Sequence, residues 1–324
     1  MGRRRGSDNH LPARVYLRSG TYYYVDENAK WIGLGKSFVD AMAKYGDIVG
    51  CQKNITKITD LIDRYLVEIA PTKAAATYKG NVAQAKFLRC GLGEIRVDSL
   101  LPRHIYEYMD FRAKRGKIQA NREVALLSGM MKYAIRWGLV EQNPCSQVIR
   151  FKEKARDRYI EDWEYKAFRD FSGPLISAYM DFKLLTGLRT SDVLGLRRDA
   201  LKEDGIHVTI NKTKQKIIIS WTDHLAAAVQ AVKDLPRPIN SMFLFSTRKG
   251  QPYSVSGFAS IWQRKMRKAL EMDILKERFT DHDLRAKTGS DVEIEHATKL
   301  LAHLDAKVTH KHYRRRVPIV KPLR

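Results

Sequence analysis

The period of the hydrophobic pattern changes along this chain, and that change constrains the fold more than any other feature. Near the amino terminus, aromatic and β-branched residues alternate with others, as in RVYLRSGTYYYV, which predicts strands. Further on, apolar residues recur every three or four positions, as in ITKITDLIDRYLVEIA, which predicts amphipathic helices. The remainder mixes helical spacing with two short strands. The sequence therefore predicts a multidomain protein: a small β-sheet domain, an all-α bundle and a mixed, mainly helical domain with a small β-sheet.

The first predicted domain, residues 1–53, contains three strands and a helix. Ser19-Gly20 separates the first two strands, Trp31–Gly35 forms the third, and Phe38–Val49 has helical spacing. Side chains alternate between the faces of a strand, so the middle tyrosine of TYYYV should point away from the outer two. The sheet is either a plain packed unit or one that presents a face to a partner.

The net charge of +23 is spread along the 324 residues. Such an excess predicts a polyanionic partner, and DNA is the obvious one. A membrane is not expected as a partner, because no uncharged stretch approaches the ~20 apolar residues of a spanning helix and no apolar run follows the basic amino terminus. The three widely spaced cysteines predict a reducing interior, such as the cytoplasm, with neither a disulfide frame nor a zinc site.

The second predicted domain, residues 54–151, is a bundle of four helices that closes at Asn143-Pro144. Basic residues lie between its apolar positions. They form either a solvated face or a DNA-binding face, and the charge of the whole chain favours the second. These residues are Lys73, Lys79, Lys86, Arg112, Lys114, Arg115 and Lys117.

The third predicted domain, residues 152–324, follows a charged linker at Lys152–Arg158. Its predicted helices are Glu161–Phe171, Leu175–Thr186, Asp192–Leu196, Leu225–Lys233 and Gly257–Met272, and its strand pair is His207–Ile210 and Lys216–Ser220.

Arg189 heads a helical segment in TGLRTSDVLGL. Gly187 permits a left-handed turn before it, and Thr190 or Ser191 can cap the helix after it. From such a turn a guanidinium can project into a cleft as a fixed, charged fork. The alternative is a surface ion pair between Arg189 and Asp192.

A second group of candidate residues lies in TDHDLRAKTGSD and the segment after it. His282 and Arg285 are three residues apart and share one face of a helix, although Asp281 or Asp283 could pair with the arginine instead. His303 follows in LLAHLD, where a buried structural histidine is the alternative. Tyr313 lies among basic residues, and two further histidines, His310 and His312, flank it.

Together these residues predict covalent phosphoryl transfer. Arginines and histidines can hold a phosphodiester, and Tyr313 can attack it because cationic neighbours favour its phenolate. No acidic cluster with metal-ligand spacing accompanies them, so neither a metal nor another cofactor is expected. The alternative for Tyr313 is an anchor at a helix end.

The strings TGLRTSD, HDLR and LLAH, followed ten residues later by Tyr313, resemble the conserved boxes of tyrosine recombinases of the lambda-type phage integrase family. The resemblance implies Arg189, His282, Arg285, His303 and Tyr313 as catalytic residues. It also implies that Lys212, in the hairpin string NKTKQK, is the general acid for the leaving oxygen, with Lys214 as a rival. Ala302 stands where the family usually has glycine.

The segment MGRRR…LP…Y-R-x-G-Y-Y…GLG is similar to the arm-type DNA-binding domain of these integrases. The resemblance implies DNA contacts by Arg3, Arg4 and Arg5, and a core-binding role for the helical bundle, where we expect contacts from Lys79 and Lys86. A cationic leader of this kind gains affinity by releasing counterions from phosphates.

The implied function is site-specific integration and excision of a mobile element through a 3′-phosphotyrosine, without metal or ATP. The implied partners are double-stranded core-type and arm-type DNA, three further copies of the chain in a homotetramer, a host DNA-bending protein and an excision factor. The implied location is the nucleoid in the cytoplasm of a bacterial host. Two alternatives remain: a type IB topoisomerase-like enzyme that relaxes DNA, and a non-catalytic DNA-binding regulator.

Overall fold

The computed structural model describes residues 11–12, 14–26, 29–49, 55–236, 239–302 and 305–316. The chain divides into two compact units, Met1–Lys154 and Ala155–Arg324. Arg3, Arg4, Arg5 and His303 lie outside the described residues.

The first unit opens with an antiparallel sheet in the order β1-β2-β3, followed by helix α1. Alternation along β2 buries Tyr24 with the small core beneath the sheet, whereas Tyr23 packs edge-on against Trp31 on the outer face. Arg18 stacks over Trp31 on that same face, 4.2 Å from the ring centroid. The predicted strands and helix are therefore confirmed. Their bounds are Val15–Arg18, Thr21–Val25 and Trp31–Gly35 for β1 to β3, and Phe38–Val49 for α1.

Four helices, α2 to α5, form the rest of the first unit around a core of leucine, isoleucine, methionine and tyrosine side chains. The hydrophobic spacing predicts a helix from Val97 to Arg115, but α4 starts only at Pro102, because proline is favoured in the first turn of a helix, where a missing N–H costs nothing. Arg112 is not on a solvated or DNA-binding face: it is buried and donates to Glu123 at 2.7 and 2.6 Å. The helices are Ile58–Glu68, Ala75–Leu92, Pro102–Ala113 and Lys117–Arg136.

The second unit is mainly helical and contains an antiparallel sheet in the order β4-β5-β6. The sheet has one strand more than expected, because β4 has only two residues and so little pattern. Its helices α6 to α13 are Asp162–Ser172, Pro174–Thr186, Thr190–Leu194, Asp223–Lys233, Val255–Glu271, Asp281–Asp291, Ile294–Leu300 and Ala306–Tyr313, and β4 to β6 are Leu201–Lys202, Gly205–Thr209 and Lys216–Ile219.

The core of the second unit is rich in aromatic side chains from α6, α7 and α10. Phe168, Tyr179 and Trp262 are buried there, with ring centroids 4 to 6 Å from further aromatic rings. Tilted and edge-to-face pairs of this kind add to the free energy gained by burial. The predicted fold class is confirmed: a small sheet, a helical bundle and a mixed, mainly helical unit with a second small sheet. None of the described helices is long and apolar enough to cross a bilayer.

Candidate active site

Helix α11 carries His282 and Arg285 on its first two turns. Its start is fixed by a capping box, because the Asp283 carboxylate accepts from the main-chain N–H of Thr280 at 2.7 Å and from its hydroxyl at 2.8 Å. The geometry leaves part of the His282 ring exposed, while the Arg285 side chain is fully buried.

Arg285 joins three segments of the second unit. Its Nη1 donates to the carbonyl oxygen of Gly187, and its Nη2 donates to that of Leu301 at 2.6 Å. Its guanidinium carbon lies 5.2 Å from the centroid of the Tyr313 ring. The expected alternative, an ion pair between Arg285 and Asp281 or Asp283, is wrong. Asp281 pairs with Lys183. Asp283 pairs with both Arg156 and Arg315.

Tyr313 is the last residue of α13, and its ring lies beside both members of the α11 pair. The Tyr313 and His282 ring centroids are 5.8 Å apart, in an edge-on arrangement. The side chain is largely buried, with 9% of its surface exposed. The main chain there is held by Ser290, whose hydroxyl donates to the Tyr313 carbonyl oxygen at 2.8 Å and accepts from Arg315 N–H at 2.8 Å.

Gly187 and Arg189 form the turn that leads into α8. Gly187 has φ +60°, and a Cβ there would lie 2.7 Å from Leu301, so both the conformation and the space require glycine. Arg189 itself occupies the N-cap position, and the predicted capping by Thr190 or Ser191 is wrong, because the Thr190 hydroxyl donates to Asp281 instead.

Part of the Arg189 guanidinium has unused hydrogen-bonding capacity. Within the described part of the chain, its Nη1 is buried and has no hydrogen-bond partner. Buried donors are normally satisfied, so such a group is expected where a ligand completes the site. The expected alternative, a surface pair with Asp192, is wrong: Asp192 is buried and accepts from the main-chain N–H of Asn211 at 3.0 Å.

Burial and neighbouring cations shape the protonation of the site. Although part of its ring is exposed, His282 has a pKa lowered first by desolvation and then by the charges of Lys183, Arg285 and Arg315, against the opposing charge of Asp281. Desolvation also lowers the pKa of Arg285, and Arg189 acts in the same direction. Tyr313 raises the Arg285 pKa through its charge and a side-chain hydrogen bond. His282 is therefore biased towards the neutral form, which can accept a proton.

Lys212 is exposed in the hairpin between β5 and β6, where none of its described contacts reaches the residues above. The base of the hairpin is nevertheless attached to α8, through the hydrogen bond between Asn211 and Asp192. Lys214 has φ +60°, the left-handed conformation that glycine favours. Lys214 therefore adopts a backbone conformation that is strained for a residue with a side chain.

The remaining candidate residues lie apart from this cluster or outside the described residues. Lys79 and Lys86 are exposed on one face of α3. His310 and His312 are exposed on α13. His303 follows Ala302, which is buried with φ +48°, again a conformation that favours the family's usual glycine.

Sequence reasoning did not identify the contacts that hold the aspartates next to His282 in place. Lys183 and Thr190 bind Asp281, and Asp283 binds Arg156 and Arg315. One signal was available: Lys183 interrupts the apolar stretch of α7, and a lysine buried in that way requires an acidic partner. In the described ranges, no three His, Cys, Asp or Glu side chains are grouped as metal ligands.

The chain is similar to proteins of known family and structure. Residues 158–318 match the model of the phage integrase family. The integrases of Enterobacteria phage 434 and Escherichia phage lambda are each 24% identical to the chain over 332 aligned positions, covering 94% of this chain and 93% of each relative.

Solved structures give the same result for the fold. A lambda integrase dimer bound to a COC′ core site superposes with a TM-score of 0.71 at 19% identity, over 99% of both chains. A lambda integrase tetramer bound to a Holliday junction gives 0.68 at 19% identity, over 91% of this chain and 97% of the other. The Tn1549 transposon integrase in complex with circular intermediate DNA gives 0.67 at 16% identity, over 80% and 95%. The chain belongs to the phage integrase family and is a tyrosine-type site-specific recombinase of the lambda type.

Proposed function

We propose that Tyr313 is the nucleophile with which this recombinase cleaves DNA. The observation that carries the proposal is the position of its ring, 5.2 Å from the Arg285 guanidinium and 5.8 Å from the His282 ring. The phenolic oxygen attacks a phosphodiester in line, a 3′-phosphotyrosine forms, and the bond from phosphorus to the 5′-oxygen breaks. One phosphoester bond replaces another, so the covalent link can later be rejoined without ATP.

The cations of the site stabilise the charge that develops on the phosphate. Arg189 and Arg285 bind the non-bridging oxygens, and the buried Nη1 of Arg189 is a donor that the phosphate can satisfy. His282 accepts the tyrosine proton, and its lowered pKa keeps the ring in the neutral form that is able to do so. We assign to His303 a further hydrogen bond to the phosphate.

Lys212 is the proposed general acid that gives a proton to the leaving 5′-oxygen. The hairpin that carries it is attached to α8 next to Arg189, so it can approach the same phosphate when DNA is bound. Its exposed position in the DNA-free chain is compatible with a group that becomes ordered on the substrate.

The reaction continues when a 5′-hydroxyl of a second duplex attacks the phosphotyrosine, so that strands are exchanged. The lambda integrase structures described above hold a core site and a Holliday junction, which supports a tetramer of this chain on two core-type duplexes. We further propose that a host DNA-bending protein and an excision factor set the direction of recombination, and that the protein acts on the nucleoid of a bacterial host.

The domain roles belong to the same proposal: 1–53 binds arm-type DNA, 54–151 clamps the core site and 152–324 carries out catalysis. The outer face of the first sheet supports the arm role. Tyr16, Tyr23 and Trp31 form a cluster of rings there, with centroids 5.4 and 6.0 Å apart, and Arg18 stacks over Trp31. Such a face offers apolar and cationic contacts to a groove, and Arg3, Arg4 and Arg5 are proposed as further DNA contacts of this domain.

The test uses nicked duplexes tiled across both flanks of the element that encodes the protein. A nick close to the cleavage site releases a short strand and traps the covalent adduct, which a denaturing gel detects. We expect an adduct with the wild type and with Tyr253→Phe, a partly buried control tyrosine, and none with Tyr313→Phe. An adduct that persists in Tyr313→Phe contradicts the assignment.

Relaxation, binding and strand-exchange assays, run beside the adduct assay, separate the two alternatives. A topoisomerase-like enzyme relaxes a supercoiled plasmid that lacks the flanks and joins each end only to its original partner. A regulator binds the flanks specifically but forms no adduct in the wild type. A recombinase yields exchanged strands from two duplexes that carry the flanks.

A further inference from the structure

Lys183 is fully buried in α7, where lysine is rare unless paired. Its ammonium uses all three donors: Asp281 Oδ1 at 2.6 Å, Thr190 Oγ1 at 2.8 Å and Tyr179 OH at 3.2 Å. Asp281 is equally satisfied, since its Oδ1 also accepts from Tyr179 at 2.7 Å and its Oδ2 accepts from Thr190. This closed hydrogen-bond network is called the Lys183 cluster below.

The Lys183 cluster connects the starts of α8 and α11, next to the proposed site residues Arg189 and His282. Thr190 follows Arg189 at the start of α8, and Asp281 precedes His282 at the start of α11. We propose that Lys183 is a positioning residue for the cleavage reaction: through Thr190 and Asp281 it fixes Arg189 and His282 relative to each other, and its ammonium adds a positive charge near His282. The inference rests on the proposed roles of those residues and of Tyr313.

Stability alone does not explain a buried pair of this kind. Well-packed apolar side chains of similar volume often stabilise a protein as much as a buried ion pair or more, because both charges must be desolvated. Burial lowers the pKa of Lys183 itself, and Asp281 opposes that effect most strongly. Because the Lys183–Asp281 pair is costly to bury and adjoins Arg189 and His282, we explain it by its effect on the positions of those two residues.

Charged groups from several elements face His282. Lys183 of α7, Arg285 of α11 and Arg315 after α13 act together with desolvation to lower its pKa, and Asp281 of α11 opposes them. The ring of Tyr313, from α13, is a further titratable neighbour. With Lys183 charged, His282 stays neutral to a lower pH and remains able to accept the tyrosine proton.

The experiment measures single-turnover adduct formation by the full chain on the nicked duplex between about pH 5 and 9, with DNA affinity measured in parallel. Lys183→Met should move the midpoint of the acidic limb to higher pH by about one unit, since a positive charge is lost beside His282. Asp281→Asn should move it the opposite way. The plateau rate should fall about 100-fold in both variants, because Arg189 and His282 are displaced. DNA affinity should stay within about twofold of the wild-type value.

Lys233→Met is the matched control, since it removes one exposed lysine from the end of α9 in the same unit. An unchanged midpoint in Lys183→Met, or an equal shift in Lys233→Met, overturns the inference even if the rate falls. Thr190→Val and Thr190→Ser supply a test that leaves the buried charges intact: valine should lower the plateau rate and serine should restore it, whereas equal rates overturn the positioning role.

Failure of this inference and failure of the proposed function give different results. If the wild type forms an adduct that Tyr313→Phe abolishes, the nucleophile stands whatever Lys183→Met does. If the wild type forms no adduct on any flank duplex, the proposed function itself is contradicted.

Discussion

The single residue Arg285 connects several segments of the candidate site. Its two terminal nitrogens bind carbonyl oxygens of the turn before Arg189 and of the segment before His303, and its charge lies beside the Tyr313 ring. A planar fork can make these contacts at once, whereas a lysine ammonium is a single point of charge. One side chain therefore aligns three of the segments that the sequence motifs define separately.

Asp283 provides a prediction about the pH dependence of stability. Burial would raise its pKa, but hydrogen bonds from Arg156, from the main chain and hydroxyl of Thr280 and from Arg315 lower it below the usual value. The stabilisation by the charged carboxylate is fully present above about pH 4, its unfolded pKa, and is lost as the pH falls through the lower folded pKa. Asp283→Asn should therefore lower the melting temperature strongly at pH 7, and the gap to the wild type should narrow towards pH 3.

The measurement is thermal unfolding of both proteins across that pH range. In Asp283→Asn the buried Arg315 side chain loses its carboxylate partner. Breaking a buried ion pair in this way lowers the free energy of unfolding by about 3 to 5 kcal/mol. Asp199→Asn is the control, because Asp199 pairs with Arg197 at the surface and such pairs contribute little. A gap that stays constant with pH contradicts the role given to the Asp283 charge.

The sequence motifs supplied the candidate site residues but not the contacts that hold them. Spacing alone placed His282 and Arg285 on one helix, and the basic surroundings of Tyr313 marked it as a nucleophile. The partners of the flanking aspartates could not be predicted, because Asp283 binds residues 127 positions upstream and 32 downstream. Contacts at such separations depend on the tertiary fold and leave no periodic pattern in the sequence.

At the element scale, the approach of α13 to α11 depends on Gly289. A Cβ at this position would lie 2.9 Å from the Tyr313 Cβ and 3.0 Å from Leu301 Cδ1, closer than packed carbon atoms allow. Gly289→Ala should push the last turn of α13 away from α11 and reduce the rate of adduct formation about 100-fold, in line with a displacement of roughly 1 Å. DNA affinity should change little.

Gly80→Ala is the matched control for this prediction. Gly80 is also within a helix, but nothing lies within 4 Å of a Cβ built there. Alanine should stabilise α3 by about 0.5 to 1 kcal/mol through its higher helix propensity, with the cleavage rate unchanged. Wild-type cleavage by Gly289→Ala would show that the nucleophile does not depend on this contact.

The sequence pattern predicted the first elements well, since Trp31–Gly35 and Phe38–Val49 have the expected bounds and two strands flank Ser19-Gly20. The differences are local. Helix α4 begins at Pro102 because a proline in the first turn sets the start, and β4 is too short to produce a pattern. Helix α8 begins at Thr190, two residues before the predicted start, because the turn at Gly187 directs Arg189 straight into the N-cap position.

At the scale of the whole molecule, the net charge of +23 makes a strong dependence of DNA affinity on salt the expected behaviour. Lys79 and Lys86 are exposed and seven residues apart on α3, which places them about 10 Å apart along one face of the helix. That distance suits contacts with phosphates along one backbone. Both lysines are proposed here as DNA contacts of the bundle.

Each lysine that neutralises a phosphate contributes about −0.9 to the slope of log affinity against log salt concentration. The double variant Lys79→Gln/Lys86→Gln should therefore flatten that slope by about two units, measured with a flank duplex between roughly 50 and 200 mM salt. Lys57→Gln/Lys299→Gln changes the net charge equally, but these lysines already pair with Glu94 at 2.7 Å and Glu295 at 2.8 Å, so its slope should stay near the wild-type value. Equal slopes for the two double variants would show that affinity follows the total charge, and that α3 does not contact the DNA backbone through these residues.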